Sequence, residues 1–383
     1  MNNFVERLKT DKILQIIFVF ALVIILVFLY FIFKPKKAEI PCYKVKIKIW
    51  APFESYELYP YLKDFEKFCV SFEVENKSFD DIKSELIPSL AENNNPDIVL
   101  IDDVFVYKYK KVFATVTPLF IDSLVAFYNQ DIVNFLGLKK PKTFDELKNF
   151  RDEIKKSNQP IEAIGLGTEN IKNRKEIILT LFTLNSNYKD LSNFRQNLIN
   201  AINFYKSFSN PLSELFIYNE KPENDLENFA KEKIVSFIGF YKDKDEILKI
   251  NPRLNFSIDQ VPLNTFPPRA KVYTKVYYLG VLRSSNKKAF YEFIKWFKKY
   301  KGYKLAQDFD MIFVESNLDN LPYEKRIVFE TFKNFGENFE FLDKNLIFNN
   351  LDSLLKSYGK DEKEFSRVLD LMSQDLSQKW EKE

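Results

Sequence analysis

The residues with types and spacing suited to chemistry are paired carboxylates, Asp80-Asp81 and Asp102-Asp103. Two carboxyl groups set apart in pKa can hydrolyse a glycosidic bond, one as acid and the other as base or nucleophile. With 54 acidic residues in 383, adjacency alone singles out no such pair. The chain has no histidine, which removes Ser-His-Asp triads, Cys-His dyads and histidine-ligated metal sites. Gly165 and Gly167 make a lone G-x-G among only eight glycines, and a turn is the expected role. No enzyme activity, metal or cofactor is expected. Cys42 and Cys69 each precede a strand, and adjacent parallel strands would set both at one sheet edge. A disulfide and two unpaired buried thiols are the two readings; the disulfide would mean an oxidising, extracytoplasmic compartment.

The elements that must position such residues need a large core. The composition is 46% hydrophobic and 16% aromatic, too ordered for a disordered or fibrous chain, and the length suits at least two domains. Lys and Arg total 57 against 54 acids; residues 1–40 hold six basic and three acidic residues, leaving 51 of each sign in the body. A neutral body lacks the basic footprint that nucleic acid requires.

Residues 13–33 are 21 residues with no charge and one polar side chain, Gln15. At about 1.5 Å per residue they cross a bilayer core of roughly 30 Å. Tyr30 and the Lys34-Pro35-Lys36-Lys37 stop suit an interface. A cleaved signal peptide is the alternative, against which stand the long apolar run and the lack of a small-x-small site. Glu39-Ile40-Pro41 before Cys42 does not resemble a lipoprotein signal. Three basic residues precede the span and three follow it, so charge does not orient it.

In the body, residues 44–50 (KVKIKIW), 70–74 and 97–103 (DIVLIDD) read as strands. Between them, one helix opens at Pro60 and another starts at Ser78, with Pro88 kinking or ending it. Strand-helix-strand-helix-strand predicts a parallel sheet. Lys44, Lys46 and Lys48 on one face of the first strand require a partly open face or stems that snorkel. Residues 117–128 are a long apolar run and 141–156 a helix boxed by Thr143 and Glu146. Residues 177–205 read as one amphipathic helix and 211–228 as irregular. Strands follow at 233–241, 254–261 and 276–282, and helices at 287–300 and 361–379.

In this order the signals resemble the extracellular solute-binding proteins of ABC importers, the sugar-binding family 1 that includes maltose-binding protein. IKIWAPFESYELYPYLKDFEKF resembles that family's first strand and helix, and NNNPDIVLIDD its third strand. TPLFIDSLVAFYNQDIVNFLGLKKPKTFDELKNF resembles its crossover, the most specific of the matches. KIVSFIGFY, QVPL at 260–263 and YYLGVLRSSNKKAFYEFIKWF resemble its second half. The resemblance implies an α/β, two-lobed periplasmic-binding-protein fold, type II-like with hinge crossovers, here preceded by one transmembrane helix at 13–33. It implies lobe 1 at 41–118 plus 266–313 and lobe 2 at 119–265 plus 314–383, after an N-terminal segment 1–40. The crossings would fall near 116–119, 261–266 and 313–316.

Ligands in open α/β sheets bind beyond the C-terminal strand ends. On the implied fold this nominates Trp50, Phe53 and Glu54 after the first strand, then Asp102 and Asp103 after the third. Asp122 and Ser123 follow the first crossing, with Phe240, Tyr241, Tyr277 and Tyr278 in the second half. Sugars need flat aromatic faces for their C–H surfaces and carboxylates for their hydroxyls. Relatives have tens of residues between the third strand and the crossover; here Asp103 to Pro118 is short. The implied function is a membrane-tethered, extracytoplasmic receptor for a sugar or oligosaccharide, delivering it to ABC permease subunits by lobe closure. The alternatives are a scaffold or sensor that kept the fold without the ligand, a carboxylate-pair glycosidase, and a peptide receptor.

Overall fold

Alternation sets the first strand. In β1 (Val45–Ala51), Ile47 and Ile49 are buried while Lys46 and Lys48 pair across the edge with Glu73 and Glu75. These acids belong to β2 (Val70–Asn76), which runs parallel to β1 with Val45 beside Val70. The lysine-bearing face is therefore open, and ion pairs occupy it. The computed structural model describes residues 19–20, 23–29, 41–184, 188–219, 223–263, 271–283, 288–339 and 342–380, without the side chains of 377–380. Most of the expected span 13–33 lies outside these residues; 19–20 and 23–29 are helical. Among the described residues no helix is long and apolar enough to cross a membrane.

The remaining strands are β3 (Ile98–Asp102), β4 (Phe113–Asn129), β5 (Glu162–Ile164), β6 (Ile234–Phe240), β7 (Phe256–Asp259), β8 (Val272–Leu282), β9 (Ile312–Phe313) and β10 (Gly336–Glu337). Their order is β2-β1-β3-β8-β4-β6-β5, with β7 and β9 on β4 and β10 on β8. The expected parallel trio β2-β1-β3 is present, but β8 joins β3 antiparallel, so the sheet is mixed. The cause is β4, the apolar run of the sequence. Its first part, through Ser123, pairs with β8; its last part, Leu124–Tyr128, pairs with β6. One 17-residue strand, about 55 Å at ~3.3 Å per residue, thus runs from one lobe into the other. β8 makes the return: Val272 lies beside β10, and Tyr277 to Val281 pair with β3. β8 runs antiparallel to β3 and β4 and parallel to β10. The crossing expected near 261–266 lies partly outside the described residues, and the return seen here is within β8.

Helical boundaries moved where side chains cap. The first helix, Ser55–Leu62, begins at a Glu54/Glu57 capping box and not at Pro60, which lies inside it; the last turn tightens into a 3-10 segment at Lys63–Phe68. Pro88 does not end its helix, which continues to Ala91 from the Ser78/Asp81 box. The single helix expected over 177–205 is two, Arg174–Phe182 and Phe194–Ser207, because Asp190 caps a short 3-10 turn between them. Asn224 caps Asp225–Ala230 inside the stretch expected to be irregular. Helices Gly302–Asp308, Tyr323–Phe335 and Lys344–Ser357 were not foreseen, while Lys288–Tyr300 and Glu362–Trp380 match the expected stripes. Cys42 and Cys69 are joined by a disulfide, Cα to Cα 4.9 Å, at the edge where β1 and β2 start. At the G-x-G, Gly167 has a φ of +90° and a side chain there would meet the Ser209 backbone, so the motif is a packed turn.

Candidate functional site

The ends of β1 and β3 come together first. The Trp50 ring is buried beside the Lys77 ammonium at 4.6 Å and the Lys48 ammonium at 5.9 Å, and its Nε1 has no hydrogen-bond partner among the described residues. Phe53 turns into the first-lobe core against Phe309, ring centroids 4.5 Å apart. Glu54 is exposed; it caps its helix and accepts from Asn76 Nδ2 at 2.6 Å. Asp102 caps the short Asp103–Lys108 helix through the Phe105 N–H at 3.1 Å and pairs with Lys83 at 2.7 Å. Asp103 is fully buried and pairs with Lys344 at the start of the Lys344–Ser357 helix. Burial, opposed by the Lys344 charge, pushes the Asp103 carboxyl up.

At the crossing, Asp122 accepts from the backbone N–H of Tyr241 at 2.9 Å and of Lys242 at 3.3 Å. Burial, then the charge of Asp243, raises its pKa to about 7. Ser123 is buried and shares a 2.9 Å hydrogen bond with Thr274 on β8. Phe240 lies under the Lys275 ammonium at 3.7 Å, edge-on to Tyr273. The Tyr241 hydroxyl donates to Asp310 at 3.2 Å and accepts from Lys244 at 2.5 Å, and Lys325 completes the group at 2.9 Å from Asp310. Burial, then Asp310, holds that hydroxyl protonated well above its usual range.

Tyr277 and Tyr278 are neighbours on a strand and so face opposite ways. Tyr278 is buried, its hydroxyl 3.1 Å from that of Tyr107. Tyr277 is half-buried and packs against Phe79 in a tilted pair, centroids 5.0 Å apart and planes at 32°. Its hydroxyl is raised by burial first and then by Asp122, Asp102, Asp103 and Asp243, which places it amid four carboxyls.

Five residues of this band escaped the sequence reading: Phe79, Lys83, Glu176, Asp243 and Lys275. Lys275 lies 3.7 Å from Glu176, and Lys172 lies 3.0 Å from Asp243. The missed signal was in β8, VYTKVYYLGVL, where Lys275 and Tyr277 share one face of an otherwise apolar strand. Between the buried Tyr273 and Leu279 of the same face, these two side chains are the half-buried ones.

Of the eleven nominated residues, only Glu54 and Tyr277 are not buried by the chain itself. A hollow of about 500 Å³ lies elsewhere, over Thr115, Thr117, Ile294, Lys298, Phe313 and Glu315, and holds none of them. Among the described residues no three His, Cys, Asp or Glu side chains are placed to hold a metal ion.

Two lobes joined by through-running strands, with polar and aromatic side chains gathered at the crossing, define the class of two-lobed solute-binding proteins. The sequence signature of the bacterial extracellular solute-binding proteins matches residues 51–304. The chain belongs to that family. No curated protein matches it in sequence. Among solved structures it is similar to an ABC substrate-binding protein from Listeria monocytogenes in complex with cycloalternan, with a TM-score of 0.65 at 14% identity over 87% of this chain and 99% of that one. It is also similar to the sugar-binding protein MalE of Xanthomonas citri, at 0.62 and 15% over 87% and 98%. The GacH receptor of Streptomyces glaucescens, seen unliganded and with acarbose, matches at 0.59 and 12% over 88% and 98%.

Proposed function

We propose that this chain is a membrane-tethered extracytoplasmic receptor that binds a sugar or oligosaccharide between its lobes and delivers it to ABC permease subunits by lobe closure. It performs no chemistry of its own. The observation that carries the reading is the Phe79–Tyr277 pair: two half-buried rings at the crossing, flanked by Lys83 with Asp102 on one side and Lys275 with Glu176 on the other. Rings cover the C–H faces of a sugar, and charged groups bind its hydroxyls. The similar Listeria and Streptomyces proteins, with cycloalternan and acarbose, support a carbohydrate. The lobes follow the division 41–118 plus 266–313 and 119–265 plus 314–383, with the passage between them displaced into β4 and β8, and Tyr277 lies in the band between them.

Tethering is supported by the apolar span 13–33, whose helical residues 23–29 leave apolar side chains exposed, Phe28 by 66%. The disulfide supports an oxidising compartment. Titration of the full chain in detergent with mono-, di- and oligosaccharides is expected to show saturable binding of one class, weakened at least tenfold by Tyr277→Ala. Binding left intact by that change would dismiss the pair as the platform.

A scaffold or sensor without ligand is the second reading, favoured by one observation. Asp102, Asp103 and Asp122 all have internal partners, and the Asp103–Lys344 pair joins the two lobes directly.

A further inference from the structure

The Lys288–Tyr300 helix turns two lysines, Lys295 and Lys299, out of the fold. Phe290, Phe293, Ile294 and Phe297 turn into the core, Lys295 and Lys299 lie opposite them, and Trp296 and Tyr300 flank the lysines, Trp296 half-buried with its ring 5.1 Å from that of Phe65 and Tyr300 60% exposed. Residues 287–304 hold seven lysines and one acid in a body that is balanced as a whole. Lys298 is paired with Glu315 and Lys301 with Asp64, whereas Lys295 and Lys299 make no ion pair among the described residues. The 500 Å³ hollow and a second of about 230 Å³ flank this stripe, and both include Lys295 and Lys299. Pro41 and Tyr43 line the second hollow beside Trp296 and Tyr300.

Pro41 is where the body meets the segment that carries the apolar span. Seven residues, 34–40, separate them. Even fully extended at ~3.5 Å each they reach about 25 Å, so a tethered body must hold this corner close to the bilayer. Lysines with Trp and Tyr are the side chains that settle at a lipid–water interface, and lysines near an anionic surface add electrostatic attraction.

We propose that this face docks on anionic phospholipid headgroups, with Lys295 and Lys299 on the phosphates and Trp296 and Tyr300 at the interface. Docking there fixes the body relative to the membrane and leaves the band at the lobe crossing free. The proposal rests on the tethered reading.

The test uses the full chain with Lys299→Cys, its native disulfide intact, reconstituted into vesicles of phosphatidylcholine with or without about 30% phosphatidylglycerol. The rate of labelling by a bulky, water-soluble maleimide is read, with Ser192→Cys as the reference site. Labelling at 299 is expected to slow about tenfold only in the anionic vesicles, and to recover at high salt or with Lys295→Glu; position 192 should not respond. Equal rates in both vesicles, with the chain retained through a carbonate wash, would overturn the surface and leave the face free for a protein partner. A chain removed by that wash would overturn the tether, and the docking inference with it.

Discussion

Asp122 shows how one carboxyl at the crossing links packing to pH. It is buried, receives two backbone N–H groups, and faces Asp243; its pKa rises from 3.8 to about 7. The unfolded chain loses this proton near pH 4 while the native state keeps it. Stability therefore falls as pH rises from about 4 to about 7 and levels off above that. Asp225, also raised to about 7 mainly by burial, acts in the same direction. In Asp122→Asn this contribution disappears. Between pH 4.5 and 8 the melting temperature of the variant should gain on that of the wild type by roughly several degrees. A constant gap in a scan of thermal melts would show that Asp122 ionises normally. Lys344 gives a second prediction. Lys344→Met strands Asp103 in the core and should cost about 3–5 kcal/mol in denaturant unfolding. Adding Asp103→Leu should restore much of that loss, and no restoration would mean the two residues act independently.

At the scale of elements, the Cys42–Cys69 disulfide closes a 27-residue separation around β1, the first helix and the start of β2. Loop-closure entropy for such a length amounts to about 2–4 kcal/mol. Reduction, or Cys42→Ser with Cys69→Ser, should lower the melting temperature accordingly, and an unchanged melt would show the edge is held by pairing alone. The elements most legible in sequence were those with strong periodicity or a capping pair: β1, β3, β6, the Ser78 helix and the Lys288–Tyr300 helix. The prolines misled, because Pro60 and Pro88 each sit inside a helix, past its first turn, and neither starts nor stops it. The long β4 read only as an apolar run, since a strand buried on both faces has no alternation. The site was less legible. Asp122, Tyr241 and Tyr277 do come together, but Asp103 and Phe53 turned out to be tied into buried contacts. Which face of β8 each tyrosine takes depends on register with β3 and β4, and the sequence of β8 alone does not set it.

At the scale of the whole molecule, ion pairs cross the proposed lobe division, among them Asp103 with Lys344 and Asp310 with Tyr241, Lys244 and Lys325. A ligand shifts such an arrangement only by its differential affinity for the two lobe positions. A sugar receptor must therefore place more interaction free energy in the band at Phe79, Tyr277 and Lys275 than these contacts already supply. The measurement that tests this most directly is a thermal-shift screen of the full chain in detergent against mono-, di- and oligosaccharides, with peptides as controls. Ligand at about 100 times its dissociation constant adds roughly 2.7 kcal/mol. One sugar class should raise the melting temperature by roughly several degrees, and Tyr277→Ala should cut the rise by about half or more. No rise with any sugar would contradict the receptor account and leave a scaffold held closed by its own ion pairs.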